Sequence, residues 1–192
     1  LDERSIVLAG STVLASAMPE LEALASLRDQ VRGDLQSVLP ALALFDLSRE
    51  LGESDLALEA MQAAVAMLES GLDPDWRDEV MTQILAAISE DPTIRRSDLL
   101  ALADRIAIDP FGRVQVELAR GDYLVSDGQL AAALDVWSGV IQDFALASVV
   151  IPAGEFLSMP AGELARQRLE MLCDSNPRAT AMMEETARRE VR

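Results

Sequence analysis

ELARGDYLVSDGQLAAALDVWSGVIQDFAL, residues 117–146, is the stretch on which the reading of this chain turns. It lines up with ALALFDLSRELGESDLALEAMQAAVAMLES, residues 41–70, under a shift of 76 positions. Gly52 then falls on Gly128, Ala57 on Ala133, Met61 on Trp137, and Phe45 on Gly121. Each stretch has about a dozen residues of helical spacing, a turn marked by glycine, and a second helical run. A small residue follows five positions after the glycine and a bulky one four positions later. The glycine lets the chain reverse tightly. The alanine lets the second helix approach the first, and the bulky side chain one turn on fills the space toward a neighbouring hairpin. The pattern predicts two antiparallel helical hairpins.

Working outward, helical runs follow one another with short breaks. One covers residues 3–17. Pro19 opens another, with Leu21, Leu24, Val31, Leu35 and Val38 at helical spacing and Pro40 as its end or kink. The run over 41–51 stops at Gly52, and Ser54 is placed to cap the next, which Gly71 ends. Asp73-Pro74-Asp75 starts a run with Trp76, Val80, Ile84, Leu85 and Ile88, broken at Asp91-Pro92. Ser97 is placed to cap a sixth run, and Asp109-Pro110 breaks it. Runs over 112–125 and 129–147 follow, then an apolar loop at 149–159, a helix opened by Pro160, and a short one opened by Pro177. Val149-Val150-Ile151 is β-like but too short for a sheet. With about ten helices and leucine and alanine carrying the apolar load, the expectation is an all-α fold in a single domain over 1–192. Within it, 1–39 forms an N-terminal helical hairpin, 40–174 holds the repeat hairpins, and 175–192 is a short C-terminal helix.

Gly121, Leu124, Gly128, Ala133 and Trp137 in one hairpin, and Phe45, Gly52, Ala57, Met61 and Ala64 in the other, resemble the tetratricopeptide repeat (TPR) motif. Phe45 stands where that family prefers glycine. The likeness covers two hairpins. Standard units of about 34 residues would give a shift of ~68, so the hairpin between them, 75–108, is an irregular member. The resemblance implies a TPR-like α-solenoid of antiparallel helical hairpins. It also implies a concave face lined by the first helix of each hairpin, with Asp46, Arg49 and Glu50 from one and Gln115, Asp122 and Ser126 from the other. Such a face takes an extended peptide or a partner helix; the alternative is a solvated face. The family's carboxylate clamp uses lysines and asparagines, which this chain lacks at those positions. Another helical repeat, or an irregular bundle, fits the same spacing.

Composition narrows the chemistry. The chain has no histidine and no lysine; its 16 cations are arginines, set against 33 acids, for a formal charge of −17. A Ser-His-Asp triad, a Cys-His pair, a histidine metal ligand, a Schiff-base lysine and a P-loop lysine are all excluded. We therefore expect no enzyme, no cofactor and no metal. Nucleic acid and anionic membrane are unsuited to this charge, whereas a basic protein or extended peptide suits it. A homo-oligomer stays open. The lone Cys173 fits a small apolar core position. The run 6–18 is too short to cross a bilayer. The missing lysine and the single asparagine, Asn176, fit a GC-rich bacterial genome. The chain begins at Leu1, as a processed or excised form would. A periplasmic location, through an anchor upstream, and a cytoplasmic one both stay open.

Three other features invite a functional reading. Asp73, Asp75, Asp78 and Glu79 crowd one helix start, either as a divalent-cation or acid–base site or as acids complementing the helix dipole; Glu53 and Asp55 pose the same choice. The apolar loop presents Ile151, Phe156, Leu157 and Met159, either as a cap over the hairpin ends or as a docking surface. Trp76 and Trp137 read as core fillers. Together these features lead us to expect a non-catalytic helical-repeat scaffold for protein–protein interaction in a bacterial assembly, envelope or secretion complex. A ligand-sensing regulatory helical domain is the alternative.

Overall fold

The computed structural model describes residues 20–33, 37–153 and 155–190. The helix expected over 3–17, and Leu35, lie outside the described residues. Among the described residues the chain is helical apart from one β-hairpin. No described helix is long and apolar enough to cross a membrane. The chain divides into two compact units, Leu1–Ile106 and Ala107–Arg192.

The first unit holds α1 (Glu20–Gly33), α2 (Leu39–Glu50), α3 (Ser54–Glu69), a 3-10 turn (Pro74–Trp76), α4 (Arg77–Glu90) and α5 (Arg96–Ile106). Helices α2 and α3 form the hairpin expected from 41–70. At its turn the Glu53 amide donates to the Ser48 carbonyl at 2.8 Å and the Gly52 amide to Arg49 at 3.1 Å. Gly52 sits at φ 73°, a left-handed conformation that a side chain resists. This pair of bonds satisfies carbonyls that a helix end otherwise leaves bare. Ala57, Ala60, Met61, Ala64 and Val65 of α3 are wholly buried, as are Ala41 and Phe45 of α2. Helix α5 packs on both α3 and α4. Arg105 of α5 grips Glu69 of α3 with two guanidinium nitrogens.

The second unit holds α6 (Pro110–Ser126), α7 (Leu130–Asp143), β1 (Ser148–Ala153), β2 (Glu155–Pro160), α8 (Ala161–Ser175) and α9 (Pro177–Glu190). Its α6–α7 turn repeats the first bond for bond. The Gln129 amide donates to Leu124 at 2.8 Å and the Gly128 amide to Val125 at 3.0 Å, with Gly128 at φ 75°. These are the counterparts of Ser48, Arg49, Gly52 and Glu53 under the same shift. Ala133, like Ala57, has no exposed surface. The core of this unit gathers Val114, Leu118, Leu134, Trp137, Val140, Leu169 and Leu172.

The two hairpins place their bulk differently. In the first, Phe45 on the leading helix and Met61 on the second are both buried. In the second, the leading helix offers Gly121 and the following helix Trp137, 3% exposed. A Cβ built on Gly121 would lie 2.1 Å from Trp137 Nε1. The indole therefore lies against bare backbone, whereas the leading helix of the other copy carries the buried Phe45.

Several local expectations need correction. The loop at 149–159 is an antiparallel hairpin, registered from Ser148↔Pro160 to Ala153↔Glu155. Pro152 lies within β1, and in a two-stranded sheet each strand is an edge, where a missing N–H is tolerated. Pro40 does not end a helix; it lies in the first turn of α2, where its absent donor costs nothing. Ser54 does not cap α3: Glu53 holds that position, and the Ser54 hydroxyl donates to Thr93 Oγ1 at 2.9 Å. Ser97 lies inside the first turn of α5, which starts at Arg96. Trp137 fills the core as expected, whereas Trp76 is only half-buried.

Overpacking at the Gly121–Trp137 approach costs about 1–3 kcal/mol. We expect Gly121→Ala to lose stability in that range in urea melts. Adding Trp137→Met should recover part of the loss, because the ring that clashes is gone.

Candidate functional site

Of the residues expected on a binding face, Arg49, Asp122 and Ser126 are tied into the fold. Arg49, near the end of α2, stacks 5.5 Å over the Phe45 ring. Its guanidinium lies 3.5 Å from Glu90 and 3.6 Å from Asp91, both at the end of α4. Asp91 also accepts the Thr93 amide at 2.9 Å and the Thr93 hydroxyl at 2.6 Å. With Ser54 on Thr93, one polar chain joins the end of α2, the start of α3 and the end of α4. Asp46 is half-buried and Glu50 exposed on the same helix.

On α6, Asp122 pairs through both oxygens with Arg168 of α8, at 2.8 and 2.9 Å. The Ser126 hydroxyl donates to the Tyr123 carbonyl of its own helix at 2.7 Å. Gln115 is half-buried. Ile151, Phe156 and Leu157 lie in the β-hairpin, and Met159, in β2, is half-buried. The structure thus draws Asp46, Arg49 and Glu50 onto one helix end and spaces Gln115, Asp122 and Ser126 along another.

The acids near Trp76 do local work. Asp73 adopts φ 51° and its carboxylate accepts the Val38 amide at 3.3 Å, fastening this loop to the start of α2. Asp78 and Glu79 lie in the first turn of α4, where the helix dipole favours negative charge. Among the described residues, no group of three or more cysteines and acids is placed to hold a metal ion.

A surface that the sequence reading did not single out is an open cleft of about 510 Å³ in the second unit. Ile141 of α7, Leu169 of α8 and Met183 of α9 provide apolar walls from three helices. Helix α8 adds Arg166, Glu170, Cys173 and Asp174. With Leu169, these positions recur at the three- and four-residue spacing of one helix face. The only sequence signal was that mixed stripe, in which Leu169 and Cys173 alternate with charge. Cys173, expected in the core, is half-buried. Arg166 is engaged by Glu163 one turn earlier. Glu170 and Asp174 are exposed, four residues apart, and bear no hydrogen bond or ion pair among the described residues. The cleft thus offers an apolar floor that can take aliphatic side chains, with two carboxylates free to accept from guanidinium or ammonium groups.

Comparison with protein-family models, with curated proteins and with solved structures finds no match for this chain.

Two carboxyls in the first unit respond to pH in opposite senses. Burial pushes Asp91 up, but the Thr93 bonds and Arg49 outweigh it and hold the group below its ordinary value of 3.8. Its contribution to stability is therefore complete above that value and is lost as pH falls through the lower folded value. Burial, above all, raises Asp46; Arg49 opposes, and Glu50 and Glu79 add to the rise. Its ionised form is thus a cost to the fold that disappears as pH falls toward 3.8. Thermal melts should show Asp46→Asn stabilising at neutral pH, with the gain fading by about pH 4. Asp91→Asn should destabilise at neutral pH and flatten the acid limb.

Proposed function

We propose that this chain is a non-catalytic helical-repeat scaffold, a TPR-like α-solenoid that binds a protein partner within a bacterial assembly, envelope or secretion complex. The observation that carries this reading is the open cleft with an apolar floor, left in a chain of paired helices. Soluble surfaces that hold apolar walls open beside unengaged charges are suited to recognising another chain. The repeated turn at 48–53 and 124–129 supports the repeat architecture, since one backbone solution recurs with its small buried residue. The composition supports the absence of catalysis, because without histidine and lysine general acid–base and nucleophilic chemistry falls to carboxylates, hydroxyls and one thiol.

The second reading, a ligand-sensing regulatory domain, draws on the same cleft, whose volume lies within the range of about 300–1,000 Å³ usual for small-molecule sites. Such sites enclose most of their ligand, and this one stands open, which favours a macromolecular segment. Affinity purification with in-cell cross-linking from the native host separates the two. The scaffold reading expects one protein recovered in stoichiometric amount. Recovery of the chain alone, together with a rise in melting temperature on adding one metabolite from a panel, would favour sensing instead.

A further inference from the structure

We infer that the cleft between α7, α8 and α9 receives a basic amphipathic helix of a partner protein, with Glu170 and Asp174 holding the cationic residues along its edge. The inference rests on the partner-binding reading above and gives it a site and a chemistry.

The floor comes first. Ile141, Leu169 and Met183 reach the cleft from three different helices. A concavity between packed helices presents ridges into which the side chains of another helix can fit. Methionine suits such a place, being unbranched and able to adapt to a partner's shape. Met183 lies in the wall.

Charge then selects the partner. Of the three charged residues lining the cleft, Arg166 is neutralised by Glu163. Glu170 and Asp174 remain, one helical turn apart, and the chain as a whole carries −17. An arginine or lysine pair at the same spacing on a docked helix would meet both carboxylates. An acidic helix would place like charges on the rim. A second copy of this chain brings its own excess of acid, so it is the poorer occupant. An extended strand needs an unpaired backbone edge, and α8 has spent its amides and carbonyls within the helix. The site differs from the face implied by the TPR resemblance, since neither Gln115, Asp122 nor Ser126 lines it.

The test uses the one cysteine of the chain. Cys173 lies in the cleft wall, so its alkylation rate reports occupancy with no engineered label. Three synthetic peptides of about 18 residues, long enough to be helical, serve as probes. One carries leucine on one face and arginine and lysine on the other. The second replaces the basic residues with glutamate. The third scrambles the first so that it has no apolar face. At saturation the basic amphipathic peptide should slow Cys173 alkylation by about tenfold, and the other two by less than about twofold. The double variant Glu170→Arg with Asp174→Arg should move protection to the acidic peptide, while its circular dichroism and melting curve stay those of the parent. Equal protection by basic and acidic peptides, protection by the scrambled one, or an unchanged preference in the double variant overturns the inference. So does protection that grows with protein concentration alone, with dimer in sedimentation, because the occupant is then a second copy. If a native partner binds while Cys173 reacts at its free rate, the cleft assignment fails and the scaffold reading stands. If no partner is found while the basic peptide alone protects, the cleft assignment stands and the scaffold reading loses its support.

Discussion

The hairpin turn is the constraint on which the paired helices depend. A helix of 12 residues, the length of α2, is marginal by itself in water. It becomes stable when its apolar stripe is covered, and the turn decides what covers it. In both hairpins a left-handed glycine lets the next amide reach back five residues to a carbonyl that would otherwise face nothing. The chain then leaves the turn at one angle, and the alanine five positions on, Ala57 or Ala133, lies fully buried. A larger side chain there would hold the helices apart. The buried bulk is distributed differently: one copy carries Phe45 and Met61, one on each helix, and the other sets Trp137 against bare Gly121. What recurs is therefore the turn and the buried alanine, not the placement of the bulky residues.

This explains which features the sequence could disclose. Gly52, Gly128, Ala57 and Ala133 act within a few residues of the turn, and their spacing was legible. Helix starts were less so. Pro40 is ambiguous because proline stops one helix as readily as it opens another, and Ser54 has the chemistry of a cap although its hydroxyl serves Thr93 across the unit. The β-hairpin at 148–160 escaped because its strands need only each other's backbone, and Pro152 masked the run. The residues expected on a concave face follow from the TPR resemblance, which cannot show that Asp122 already holds Arg168 or that Arg49 already holds Asp91. Those pairs join helices far apart in the chain. The cleft escaped for the same reason, since its walls come from three helices and become neighbours only on folding.

The electrostatics follow the same division of labour. With arginine as the only cationic side chain, structural pairs draw on a small pool: Arg49, Arg105 and Arg168 each bridge two helices. Arginine suits this role because its planar fork meets a carboxylate through two nitrogens. Acids outnumber arginines about two to one, so many carboxylates are left over. Where the surplus falls on helix starts, as at Asp78 and Glu79, it complements the dipole. Where it falls beside an apolar cleft, as at Glu170 and Asp174, it marks a surface suited to a cationic guest.

Amide hydrogen exchange at two positions tests the hairpin account most directly. The side chains of Glu53 and Gln129 are exposed, and a loop reading would leave their amides free. Because each amide closes the turn at 2.8 Å, both should exchange as slowly as the interior amides of α3 and α7 in their own unit. Exchange at the unprotected rate at either position would contradict the claim that a locked turn sets the pairing of the helices.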